Sequence, residues 1–136
     1  MVGPGTWVFH YFIRHQAAAT TTGIAFSVNH TGTVTSFVAN ARAVGGATVA
    51  TKEASNQAVT GATLNLTVGG SARAKSATVN MGVTASVDVA GADMLTIIEG
   101  LMVVTVSGNI ELYSASEVAA QTTVKQDSSL ILQKIG

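Results

Sequence analysis

The stretch from Asp93 to Tyr113, DMLTIIEGLMVVTVSGNIELY, limits the folds open to this chain more than any other segment. Between Leu95 and Val106 it carries Leu95, Ile97, Ile98, Leu101, Met102, Val103, Val104 and Val106, a run that only a well-covered surface can keep from water. The run breaks at Ser107-Gly108-Asn109 and resumes as Ile110-Glu111-Leu112-Tyr113, in which apolar and polar or amphipathic side chains alternate. Two β-branched, apolar segments about a glycine-containing turn predict a hairpin. Gly100, inside the first segment, marks a bulge or a close approach of backbone. The expectation is the central hairpin of an all-β domain, buried on more than one side.

Size and charge narrow the setting. The chain of 136 residues is long enough for one core and not for two, so residues 1–136 are expected to form a single domain. Seven basic and seven acidic side chains cancel and never cluster, which argues against a nucleic-acid partner, since phosphate binding needs a concentrated basic patch. Hydrophobic residues make up 47% and charged residues 10% of the chain, far below the roughly 25% charge of ordinary soluble domains. A monomer would struggle to cover that apolar surface, so part of it is expected to face identical copies or a neighbouring protein. Cysteine is absent, which excludes disulfides and thiolate metal sites. The opening Met-Val-Gly-Pro-Gly-Thr-Trp lacks a basic-then-apolar leader, and the longest apolar run, cut by Glu99, falls short of the ~20 residues that span a bilayer. The expectation is a soluble, intracellularly made protein without membrane insertion. The sequons at Asn29 and Asn65 are read as chance.

Taken in order, Thr6 to His15 alternates Trp7, Phe9, Tyr11 and Ile13 against Val8, His10, Phe12 and Arg14, the period of a core strand. Ala17 to Thr22 reads as a loop. Gly23 to Asn29 sets Ile24, Phe26 and Val28 against Ala25, Ser27 and Asn29, and Thr33 to Val44 continues in β-branched residues with Arg42 outward, predicting a second hairpin about Asn29-His30-Thr31-Gly32. From Gly45 to Gly82 small residues dominate. Val49, Val59, Leu64, Leu66, Val68 and Val79 mark short strands at best, and Lys52 to Ala58 has the composition of a helical turn. A strand at Val83 to Val89 precedes the central hairpin. Ser129 to Ile135 reads as a final strand integral to the sheet. Short strands separated by turns predict a β-sandwich or jelly roll.

No reactive constellation stands out. His10 and His15 are five apart on a strand and so face opposite ways, and His30 is placed in a turn, so the three histidines are expected to be structural or solvent-facing. In a symmetric trimer, copies of one histidine meeting on the axis would be the alternative arrangement able to hold an ion. Asp88, Asp93 and Glu99 lack calcium-loop spacing, and Asp93 is expected to accept from turn amides. Glu99, beside Gly100 in an apolar strand, needs a partner or an exposed bulge, with Arg42 or Arg73 the candidates. No serine sits in a nucleophile elbow, and Val68-Gly69-Gly70-Ser71 and Val44-Gly45-Gly46-Ala47 lack the helix and lysine of a phosphate loop. Trp7, Phe9 and Tyr11 read as packing rather than as a ligand platform. No catalytic residue, cofactor or metal is implied.

Four segments carry a resemblance: Gly5-Thr6-Trp7-Val8-Phe9, Thr22 to Asn29 (TGIAFSVN), Ile98 to Gly108 (IEGLMVVTVSG) and Val124 to Ile135 (VKQDSSLILQKI). In these the chain resembles the C-terminal domain of virion proteins of tailed bacteriophages and prophages, domains similar in layout to the complement-type and tumour-necrosis-factor-like jelly rolls. The Ala/Thr/Gly-rich middle is unmatched. Jelly rolls of that type have a strand or two ahead of the Gly-Thr-Trp segment, so an upstream piece or another chain is expected to supply them.

What the resemblance implies is a homotrimer. It implies a structural virion protein, made in the host cytoplasm, serving as a capsid decoration or head-fibre component without catalysis and contacting capsid or tail proteins. The alternative is the receptor-binding tip of a tail fibre or spike, reading host surface glycan. A carbohydrate-binding module would need Trp7 or Tyr113 exposed beside polar groups, and a glycan depolymerase would need two acids roughly 5 to 10 Å apart, which no pair in the sequence presents. Leu95, Ile97, Leu101, Val103, Ile110 and Leu112 of the central hairpin are the expected subunit interface.

Overall fold

A computed structural model of the chain describes residues 1–19, 22, 24–45, 50–59, 63–67, 90–116 and 118–136. These form nine strands and no helix: β1 (Gly5–Ala17), β2 (Ile24–His30), β3 (Thr33–Gly45), β4 (Ala50–Val59), β5 (Thr63–Thr67), β6 (Met94–Val106), β7 (Ile110–Ser116), β8 (Thr122–Val124) and β9 (Ser129–Lys134). Every pairing is antiparallel. One sheet has six strands in the order β4-β3-β6-β1-β8, with β9 also on β1, and the other three in the order β5-β2-β7. The all-β arrangement of two antiparallel sheets about a shared core is compatible with a β-sandwich.

The alternation in β1 is realised as the sequence predicts. Phe9, Tyr11, Ile13, His15 and Ala17 are buried on one face, while Val8, His10, Phe12 and Arg14 look the other way. From the facing sheet, β2 contributes Ile24, Phe26 and Val28, each at most 1% exposed, and β7 adds Ile110 and Leu112, partly buried against the same cluster. Phe9 sits at the centre, its ring centroid 5.3 Å from Phe37 and 6.2 Å from Tyr11. Each such large side chain contributes about 1.5–3 kcal/mol on burial.

Both expected hairpins are absent, for one physical reason. β6 is flanked by β1 and β3 along its length, so neither edge is left for β7, which instead pairs with β2 in the other sheet. Likewise β2 and β3 lie in different sheets. Ser107-Gly108-Asn109 and Thr31-Gly32 are therefore crossings between layers. They pass against each other: Thr31 N–H donates to Asn109 O at 2.9 Å, and Asn109 N–H to Thr31 Oγ1 at 2.8 Å. A side chain on Gly32 would collide with the Val106 carbonyl oxygen, and one on Gly108 with the Gly32 backbone and the His30 ring. Val2 bridges onto Gly108 and closes the same corner.

Gly100 is a close approach rather than a bulge. It stays in register with both Phe9 and Ala39, and a Cβ there would meet the Val38 carbonyl oxygen and the Phe9 ring. The irregularities fall in β3 instead, at Thr33/Val34 and Val34/Ser36 against β6 and at Ala39/Ala41 against β4. Lys52 to Ala58, expected as a helical turn among short strands, belongs to the ten-residue edge strand β4. Paired backbone outweighs the helix propensity of its alanines. β9 is integral to the sheet, paired with β1 from Trp7 to Phe12. Ala17, expected to open a loop, closes β1. The expected features at Val49, Val68, Gly69, Gly70, Ser71, Val79 and Val83 to Val89 lie outside the described residues, as do Asp88 and Arg73.

Candidate functional site

Among the described side chains, the outward face of the six-stranded sheet carries an apolar patch. β1 contributes Val8 and Phe12, β6 contributes Leu95, Ile97, Leu101 and Val103, and Val38 of β3 and Ile131 of β9 extend it to either side. Val38 is 42%, Leu95 37% and Ile131 56% exposed. An open groove of ≈ 320 Å³ crosses it between Val8, Val38 and Leu101, with His10 and Glu99 at its side.

Those two residues are its polar centre. The β1–β6 register sets His10 opposite Glu99, and Nδ1 lies 3.7 Å from the carboxylate, an ion pair whenever the imidazole is protonated. Among the described residues the partner of Glu99 is His10, and Arg73, one of the two expected partners, lies outside them. The Arg42 side chain lies outside the described residues. A signal for this pairing was present in the sequence: placing Phe9 over Gly100, an aromatic ring covering a glycine, puts His10 against Glu99.

The structure brings together four of the residues expected at a subunit interface, Leu95, Ile97, Leu101 and Val103, on this one face. Ile110 and Leu112 are elsewhere: they point from β7 into the space between the sheets.

The other histidines face inward. His15 is wholly buried, its Nε2 2.8 Å from Thr96 Oγ1 and its ring edge-on to Phe26, and burial lowers its pKa from 6.5 to about 4. His30 is not in a turn but is the buried last residue of β2. Its Nδ1 accepts from Gly32 N–H at 3.1 Å, and its Nε2 has no partner among the described residues. Among the described residues no group of three or more His, Cys, Asp or Glu could hold a metal ion.

Asp93 accepts from side chains rather than from turn amides. Arg14 donates to it at 2.7 Å and to Asp127 at 2.5 Å, and Gln16 donates to Asp93 at 2.8 Å. The Arg14 hydrogen bond holds the Asp93 carboxyl below its usual range and raises the guanidinium in turn. The cluster is exposed and ties β1 to the chain ahead of β6 and β9, a positioning role worth little stability.

The outward face of the three-stranded sheet is different in kind. Tyr113 is 53% exposed there, its hydroxyl donating to Glu111 at 2.5 Å, with Asn29 Nδ2 3.4 Å from the same carboxylate oxygen. Trp7, by contrast, packs against the core, with Nε1 donating to Gly3 O at 2.9 Å and Lys134 Nζ 5.9 Å from the ring centroid. Comparisons with family models, curated proteins and solved structures return no match for the chain.

Proposed function

We propose that this protein is a non-catalytic structural subunit of a tailed-bacteriophage particle, a jelly-roll capsid decoration or head-fibre component that assembles as a homotrimer through the outward face of the six-stranded sheet. The observation that carries the assembly reading is the half-buried apolar patch of Val8, Phe12, Leu95, Ile97, Leu101 and Val103 around one His10–Glu99 pair. Contact with water costs a face of that composition free energy, and covering it with copies of itself removes the cost. Such a face also suits a closed ring, because subunits around an axis hide it without leaving it open to further growth. The particle setting rests on the resemblance of the Gly5–Phe9, Thr22–Asn29, Ile98–Gly108 and Val124–Ile135 segments to virion domains. Capsid or tail proteins are the partners that follow from it.

Sedimentation of the chain tests the assembly directly. The 13.8 kDa subunit should sediment at three times its mass, and Leu101→Asp should yield a monomer with an unchanged β-sheet spectrum. Ile110→Asp should act differently, lowering stability rather than separating subunits, because Ile110 packs between the sheets. A wild-type monomer would overturn the proposal. Imaging of the particle that carries the protein tests the location.

A further inference from the structure

The outward face of the three-stranded sheet holds an exposed aromatic ring. Tyr113 and Glu111 lie two residues apart on the same side of β7, a separation of roughly 6–7 Å at the rise of a strand. The hydrogen bond from Tyr113 to Glu111 ties the hydroxyl end of the ring to that neighbouring carboxylate on the same face. Half of the residue stays open to solvent, Tyr113 being 53% exposed. Ser27, paired with Tyr113 across the strands, has a hydroxyl closed off from solvent and without a partner among the described residues.

Polar groups flank the ring in register. Asn29 lies opposite Glu111 and its amide is 3.4 Å from the carboxylate. The Glu111 carboxylate has lone pairs beyond those that accept from Tyr113 and Asn29.

We propose that this face binds a neutral pyranose, its C–H face stacked on the open side of Tyr113 and its hydroxyls donating to Glu111 beside Asn29. A pyranose matches the arrangement because it presents a flat face of axial C–H bonds rimmed by hydroxyl groups. A protein partner would need apolar neighbours around the aromatic anchor, and here the neighbours are carboxylate and amide. An anionic sugar would meet the Glu111 charge. The proposal stands apart from the trimer, which uses the outward face of the other sheet.

Saturation-transfer NMR on the full chain with the methyl glycosides of glucose, galactose and N-acetylglucosamine tests it. At least one should receive saturation at its axial C–H protons. Tyr113→Ala should weaken binding about fivefold to tenfold, the share of one aromatic contact, whereas Tyr113→Trp should retain or tighten it. Glu111→Ala should also weaken it, and Leu101→Asp, which separates subunits, should leave it unchanged. Saturation of none of the three glycosides, or an affinity indifferent to both Tyr113→Ala and Glu111→Ala in folded protein, would overturn the proposal.

Discussion

Acidification should weaken this fold through one residue, His15. Its imidazole is 0% exposed on the inner face of β1, held by Thr96 and Phe26, and its Nδ1 lacks a partner among the described residues. Charging the ring would surrender hydration for a single hydroxyl contact, and burial therefore depresses its pKa from 6.5 to about 4. Above about pH 6.5 the ring is neutral in both the folded and the unfolded chain and exerts no pH dependence. Between there and about pH 4 the unfolded chain binds a proton that the folded one refuses, so unfolding free energy falls as pH falls. Below about pH 4 both states carry the proton and the loss is complete. A separation of about 2.5 pH units at 1.36 kcal/mol each makes the loss on the order of 3 kcal/mol, a large part of the roughly 5–15 kcal/mol that holds a domain together. Urea unfolding from about pH 7 to about pH 4 should show it as a falling midpoint at constant slope. The control is His15→Leu with Thr96→Val, which removes the titrating ring together with the hydroxyl that would otherwise lose its partner. That variant should lose up to one proton's worth of pH dependence across the window. Parallel stability curves for the two proteins would refute the reasoning.

Gly100→Ala should destabilise by about 1–3 kcal/mol in urea unfolding, because the added methyl meets the Val38 carbonyl, fixed in the β3–β6 ladder, and the packed Phe9 ring. Adding Phe9→Leu should recover part of the Gly100→Ala loss, and strict additivity of the two would argue against the contact. Ultraviolet titration of the two tyrosines should find neither at the ordinary value near 10. Burial raises Tyr11 to about 12, and the hydrogen bond to Glu111 raises Tyr113. In Glu111→Gln the Tyr113 transition should move back toward 10 while Tyr11, shifted chiefly by burial, stays late.

How far the sequence was readable follows the range of each interaction. The placement of Phe9, Tyr11 and Ile13 inside and Val8, His10 and Phe12 outside is a property of a period-two backbone and could be read from ten residues. So could the burial of Ile24, Phe26 and Val28. The partner of Glu99 could not be read this way, because it depends on which strand lies beside β6 and in what register. Alternation alone does not say which of Leu112 and Tyr113 faces solvent. The exposure of Tyr113 follows from Leu112 being the residue that β7 turns inward.

From the chain alone came the all-β class, the inner and outer faces of individual strands, and a charge-poor surface that calls for cover. Tertiary structure decided what joins what: whether Ser107-Gly108-Asn109 folds a strand back on its neighbour or carries it to the opposite layer. A short glycine-containing turn serves either path equally well. The outcome was set by β1 and β3, distant in sequence, occupying both edges of β6 and leaving β7 to pair with β2.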